Sequence, residues 1–299
     1  MSIISPCIGS TDKWEPYYSI VKDVPGNASS LVDFGDELNA GDVDATSFTG
    51  MRFHANGLAA AWTTQPATSA VALSGWDTPF TLRDLDNWLG LAPVLAFNGS
   101  NENADTPAAG TGEFWTPSTR SSDSAFSVGA WLNITDTAAR RAVIAKWDDS
   151  GGSGNEKREW LLAIESDDKA KLHFIDEDAS APSAPDRVTD AAVAQGSWIF
   201  LVASYDGGGG STMANGITFY VDGASVASTA SNASNYVAMD VTAADPTRGV
   251  YLVGSTPAMT FPFNGKMLGG PWGPFSVQSE LTAEQVADYF QRMRMGVGV

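Results

Sequence analysis

The sequence predicts an all-β chain, an antiparallel sandwich with an extended N-terminal region and one short C-terminal helix. Three observations predict it. Residues 217–223, read ITFYVDG, alternate apolar and polar side chains with the period of a half-buried strand and run into Asp222-Gly223. That dipeptide suits a tight hairpin, because Gly tolerates positive φ and Asp can bond its own backbone. Similar short runs recur between turn-rich spacers while long helical periodicity is scarce, and 299 residues with 43% apolar content are enough to bury a sizeable core.

The chain changes texture near residue 94. Residues 1–93 open with Trp14, Tyr17 and Tyr18 among Pro6, Pro16 and Pro25, the pattern of extended chain carrying aromatic anchors. These three rings are the candidates for docking and assembly. The acidic stretch 33–44, DFGDELNAGDVD, is too poor in large apolar residues to bury much surface and reads as a loop or arm. Short strands are expected at 51–54 and 57–62. Leu82, Leu85, Trp88 and Leu89 have the spacing of a short amphipathic helix, which Gly90 would end.

Residues 94–299 form the second region. A strand at 94–97 ends in the Asn98-Gly99 turn. In 125–134, Phe126, Val128, Ala130, Leu132 and Ile134 share one face, and Trp131 on the other needs a cover. Further strands are expected at 142–147, 159–164, 171–175, 197–205, 217–221, 224–228, 250–254 and 262–268. Ser166-Asp167-Asp168 joins one hairpin, and Gly207 to Gly210 reads as a flexible connection. These glycines lack the Lys-Ser/Thr that a phosphate loop requires. The last element is a helix in which Thr282 caps, Gln285 completes a capping box and Leu281 staples to Val286. Val286, Tyr289, Phe290 and Met293 fall on its one apolar face, which should lie against the sandwich.

The net charge of −18, from 35 acidic and 17 basic residues, repels phosphate backbones and anionic membranes, so no nucleic-acid partner is expected. No apolar run approaches the roughly 18 residues that a helical span needs, so membrane insertion is not expected. Cys7 is the single cysteine, which excludes an intrachain disulfide and a thiolate cluster within one chain. The first residues lack the basic and apolar regions of a signal peptide, so synthesis in a cytoplasm without one is the expectation.

The order of segments resembles the laminin-G-like or pentraxin-like domains of the concanavalin A-like lectin/glucanase superfamily. The resemblance rests on Phe97-Asn98-Gly99-Ser100, Phe126 to Trp131, Val143 to Trp147, Trp160 to Phe174, Trp198 to Asp206 and Tyr220 to Gly223. Leu252 to Ser255, Phe263 to Lys266 and Leu281 to Tyr289 complete it. It covers residues 94–291 and implies a jelly-roll sandwich. It also implies that loops at one end can hold calcium, with Asn98, Asn101, Glu102 and Asp105 as one hard-oxygen ligand set and Asp148 and Asp149 as another. The chain departs from the family pattern at 267–275, where MLGGPWGPF replaces an acidic strand.

Sugars stack on aromatic rings, and Trp115, Trp147 and Trp272 are the candidate rings. Glycosidases of the superfamily carry paired carboxylates on one strand. The nearest segment here, Asp176-Glu177-Asp178, lacks the leading Glu and runs into a loop, so it reads as a solvated strand end and no catalytic residue is assigned. His173, facing away from Leu172 and Phe174, reads as structural or surface. The function expected is non-catalytic: a virion-surface subunit of a phage capsid or tail, partnered by other virion proteins, by copies of itself or by host glycans. A stand-alone lectin or adhesin is the alternative, and a glucanase-type hydrolase ranks third. No cofactor is required, with calcium as the ion to test.

Overall fold

The computed structural model describes residues 32–33, 49–53, 59–64, 94–100, 102–105, 121–135, 138–148, 157–177, 179, 183–239, 251–254, 261–268, 274–277 and 279–297. Three short strands come first, β1 (Val32–Asp33), β2 (Thr49–Phe53) and β3 (Ala59–Thr64). They are followed by β4 (Val94–Asn98), β5 (Glu102–Asp105), β6 (Phe126–Ile134), β7 (Arg141–Asp148), β8 (Lys157–Ile164) and β9 (Ala170–Phe174). Then come β10 (Asp186–Thr189), β11 (Trp198–Tyr205), a 3-10 helix (Gly210–Gly216), β12 (Ile217–Val221), β13 (Ala224–Val226) and β14 (Ser228–Ser231). β15 (Tyr251–Val253), β16 (Asn264–Leu268), β17 (Phe275–Val277) and α1 (Ala283–Val297) close the chain. The helix expected near residues 79–89 lies outside the described residues.

All pairings between these strands are antiparallel, and they form two layers of a jelly-roll sandwich. One layer runs β13-β12-β11-β6, and the far side of β6 is shared by β16 and β17. The other runs β15-β7-β8-β9-β10-β14. β4 extends the first layer through β16. Strands from the first 93 residues join the same hydrogen-bonded network: β1 pairs with β17, β2 with both β1 and β3, β3 with β5, and β5 with β15.

The main core lies between the layers and follows the alternation of the sequence. Phe126, Val128, Ala130, Leu132 and Ile134 of β6 meet Trp160, Leu162, Ile164, Leu172 and Phe174 of β8 and β9. Fully burying one such side chain stabilises by roughly 1.5–3 kcal/mol. The hairpin after β12 forms as expected, with Asp222 at φ 52° and Gly223 at φ 80°, and Asp222 also accepts the N–H of Phe200 at 2.8 Å.

The odd-numbered face of β6 carries a second core, and α1 is its cover. Trp131 is fully buried, 5.2 Å from Phe200 and 5.6 Å from Phe290 between ring centroids. Val286, Tyr289 and Met293 fill the rest. Two buried hydroxyls fix the approach to the helix. Ser127 and Ser204 bond each other at 2.8 Å, Ser127 accepts the N–H of Leu281 at 2.8 Å and Ser204 donates to its carbonyl at 3.1 Å. The capping box follows at once: Thr282 N–H donates to Gln285 Oε1 at 2.9 Å, and Gln285 N–H to Thr282 Oγ1 at 3.3 Å.

Two expectations are corrected. Gly207 to Gly210 is a folded turn rather than a flexible connection: Gly208 N–H donates to Asp206 Oδ1 at 2.7 Å, Gly209 N–H to the Tyr205 hydroxyl at 2.8 Å and Gly210 N–H to the Val237 carbonyl at 2.9 Å. Glycine is required at Gly207, where φ is +80° and a Cβ would sit 2.4 Å from the Ala125 nitrogen. The stretch holding Glu102 and Asp105 is strand β5 and not a loop.

Candidate ligand-binding face

The outer face of β7–β10, turned away from the main core, carries the most concentrated charge chemistry among the described residues. Its floor is small and apolar: Ala142, Ala145, Leu161 and Ala163 are buried together with Trp147 and Ile175, and half-buried Phe261 packs on them. Register decides who joins this face. His173 stands opposite Leu161, Lys171 opposite Ala163, and Asp186 opposite His173, and directly opposed residues share a face.

Three half-buried ion pairs frame the floor. Arg140 meets Glu165 at 2.9 Å, Lys171 meets Asp186 at 2.8 Å, and Arg158 meets Glu177. Side-chain exposures of 13–29% across the six groups leave part of each pair reachable from solvent. The pairs fix where each donor and acceptor points. The Arg158 guanidinium sits 5.7 Å over the Trp147 ring, and Arg140 sits 5.1 Å over Phe261. Between these pairs the His173 ring lies 5.6 Å from that of Trp147.

Burial first, then the charges of Lys171, Arg140 and Arg158, push the imidazole of His173 down to about 3 from its ordinary 6.5. It is neutral at physiological pH. The unfolded chain therefore binds a proton here between pH 6.5 and about 3 that the folded chain does not. Stability tied to this residue is complete above 6.5 and is lost as pH falls through that window, on the order of 1–3 kcal/mol by about pH 4.5. Urea unfolding of wild type and His173→Gln at pH 7.5 and pH 5 should show a shallower acid loss in the variant. Parallel losses would contradict this account.

The sequence candidates are placed as follows. Trp147 is on this face, but at 5% exposure it does not present the open ring that stacking on a sugar needs. Alternation from Ala145 puts the ring on the floor, under Arg158. That expectation of an exposed platform is corrected. Trp115, Trp272, Trp14, Tyr17, Tyr18, Asn101, Asp149 and Asp178 lie outside the described residues. Asn98 ends β4, where its Oδ1 accepts the N–H of Ser100 at 2.8 Å. Among the described residues no group of three or more His, Cys, Asp or Glu is placed to hold a metal ion.

Asp176 is buried, and both its oxygens serve the backbone, Oδ1 accepting from Ala179 at 3.1 Å and Oδ2 from Val237 at 3.0 Å. Glu177 is held by Arg158. The ion pairs themselves escaped sequence reasoning. The one available signal was the alternation of KLHFI, which turns Lys171 and His173 outward together.

A two-layered antiparallel sandwich with a framed polar face on one layer defines a lectin-like jelly roll. The family profile of the concanavalin A-like lectin/glucanases superfamily matches residues 108–268, and the chain belongs to that family. Among solved structures it is similar to the ligand-binding domain of botulinum neurotoxin serotype D in complex with N-acetylneuraminic acid. That match has a TM-score of 0.51 at 10% identity, covering 91% of this chain and 52% of that one. A second structure of the serotype D binding domain gives 0.50 at 10% identity, covering 92% and 53%. The chain thus spans about half the length of these structures. No curated protein matches it in sequence.

Proposed function

We propose that the chain is a non-catalytic carbohydrate-binding module that holds a glycan on the outer face of β7–β10. The observation that carries this reading is the frame of three half-buried ion pairs around Trp147 and His173. Sugar recognition needs several oriented hydrogen-bonding groups beside apolar surface, and paired charges supply donors and acceptors already fixed in direction. Membership in a lectin/glucanase family supports it. The engagement of Asp176 with backbone N–H groups and of Glu177 with Arg158 supports binding over hydrolysis, since neither carboxylate is placed to act as acid or nucleophile.

The finer expectation of a virion-surface subunit draws no support from the strand pairing. β1–β3 join this chain's own sheets, which favours a self-contained module over an arm given to neighbours. The test is a glycan array carrying neutral and sialylated oligosaccharides, the latter because the serotype D domain holds N-acetylneuraminic acid. Calorimetry with the strongest ligand follows. Arg158→Ala and Lys171→Ala are expected to weaken binding about tenfold or more, the effect of losing one charge-assisted hydrogen bond. Ser225→Ala, on β13 of the other layer, should leave it unchanged. Binding that ignores Arg158 and Lys171 rejects this face.

A further inference from the structure

Among the described residues, two ring nitrogens on this face have no hydrogen-bond partner: Trp147 Nε1 and His173 Nδ1 are both buried and both unsatisfied. Buried polar atoms are nearly always bonded, so two orphans on neighbouring rings call for an explanation. Their chemistry is complementary. An indole N–H only donates, while a neutral imidazole accepts at the nitrogen that lacks the proton. A single hydroxyl can accept from the first and donate to the second, because it carries both a proton and lone pairs. A carboxylate cannot serve both, since it has no proton to give His173.

We propose that Trp147 and His173 form a polar subsite for one hydroxyl of a bound sugar, with Trp147 Nε1–H donating to it and His173 Nδ1 accepting from it. The proposal rests on the reading of this face as the glycan site and names the group that the site selects. Trp147 then contributes its N–H edge, which suits a ring that is 95% covered better than stacking does (5% exposed). The surroundings keep His173 an acceptor. Lys171, Arg140 and Arg158 oppose a proton on it, and the carboxylates facing the same group, Glu165, Glu177 and Asp186, are each bound to one of those cations. Half-buried Phe261 packs on the same floor.

The experiment uses the full chain and the strongest array ligand, together with its deoxy analogues, each lacking one hydroxyl. Wild type, Trp147→Phe, His173→Phe and His173→Gln are compared by calorimetry at pH 5 to 8, after thermal unfolding has verified that each is folded. Expected are losses of about tenfold for Trp147→Phe and His173→Phe, and recovery of most affinity by His173→Gln, whose amide oxygen can still accept. One deoxy analogue should be penalised by wild type and not by His173→Phe. Wild-type binding should be flat across this pH range, where an ordinary histidine would titrate. Nitrogen chemical shifts of the His173 ring give a second readout, with Nδ1 expected unprotonated and shifted on ligand addition. If Trp147→Phe and His173→Phe bind as wild type while Arg158→Ala does not, the subsite is overturned and the face stands. If no glycan binds, or if none of the variants on this face matters, both are overturned.

Discussion

Replacing Asp123 with Ala should lower the unfolding free energy by roughly 3–5 kcal/mol, a large share of the 5–15 kcal/mol typical of a folded domain. Asp123 is buried at the entrance to β6 and serves at least three donors. Its Oδ2 accepts the Tyr205 hydroxyl at 2.9 Å and the Tyr236 hydroxyl at 2.8 Å, and its Oδ1 accepts the Met239 N–H at 2.8 Å. Tyr205 in turn accepts the Gly209 N–H at 2.8 Å. Burial, and then the charge of Asp123, raise both tyrosines far above their ordinary value, so the hydroxyls stay protonated and keep donating. One carboxylate therefore ties β6, the end of β11, the glycine turn and the 236–239 segment together. Alanine strands three buried donors at once, each of which costs about 1–3 kcal/mol when left unmade. Asp123→Asn keeps the shape and one acceptor oxygen and should lose less. Urea denaturation measures both, and a loss below about 1 kcal/mol for the alanine variant would contradict the network.

The second large effect falls on Lys146 and Glu159, an ion pair of 3.0 Å whose side chains are 3% and 0% exposed. Removing one partner takes the buried counter-charge away from the other, so Lys146→Met and Glu159→Leu should each cost about 3–5 kcal/mol. The double variant should recover most of that loss and come close to wild type, because the pair's attraction is largely consumed by the cost of drying both charges. Calorimetric and chemical unfolding of all four proteins closes the cycle. Single variants within about 0.5 kcal/mol of wild type, the scale of surface substitutions, would show that the pair is not dry.

These two networks also mark where the sequence stops being legible. The hairpin at Asp222-Gly223, the inward stripe of β6, the covered Trp131 and the capped α1 could all be read, because each is written in local spacing. β5, β10 and β17 could not. ENAD, DRVT and FSV are three or four residues long and carry little apolar periodicity. β10 is a strand because β9 and β14 flank it, and β17 because β6 and β1 do. The candidate face is less legible still. Arg158 reaches Glu177, and Lys171 reaches Asp186, only once β8, β9 and β10 are in register. Outward alternation placed His173 on the correct side but said nothing of its neighbours. Trp147 was expected as an open platform and is instead covered, because the Arg158 that lies over it comes from a neighbouring strand and local spacing does not show it.

The account stands or falls on where a sugar binds. Amide chemical-shift mapping of the full chain, titrated with the strongest glycan from an array, answers this most directly. The result expected is a contiguous set of shifts on β7–β10, centred on Trp147, Arg158, Lys171 and His173, with α1 and β11–β13 undisturbed. Shifts gathered on the opposite layer, or none at saturating glycan, would contradict it.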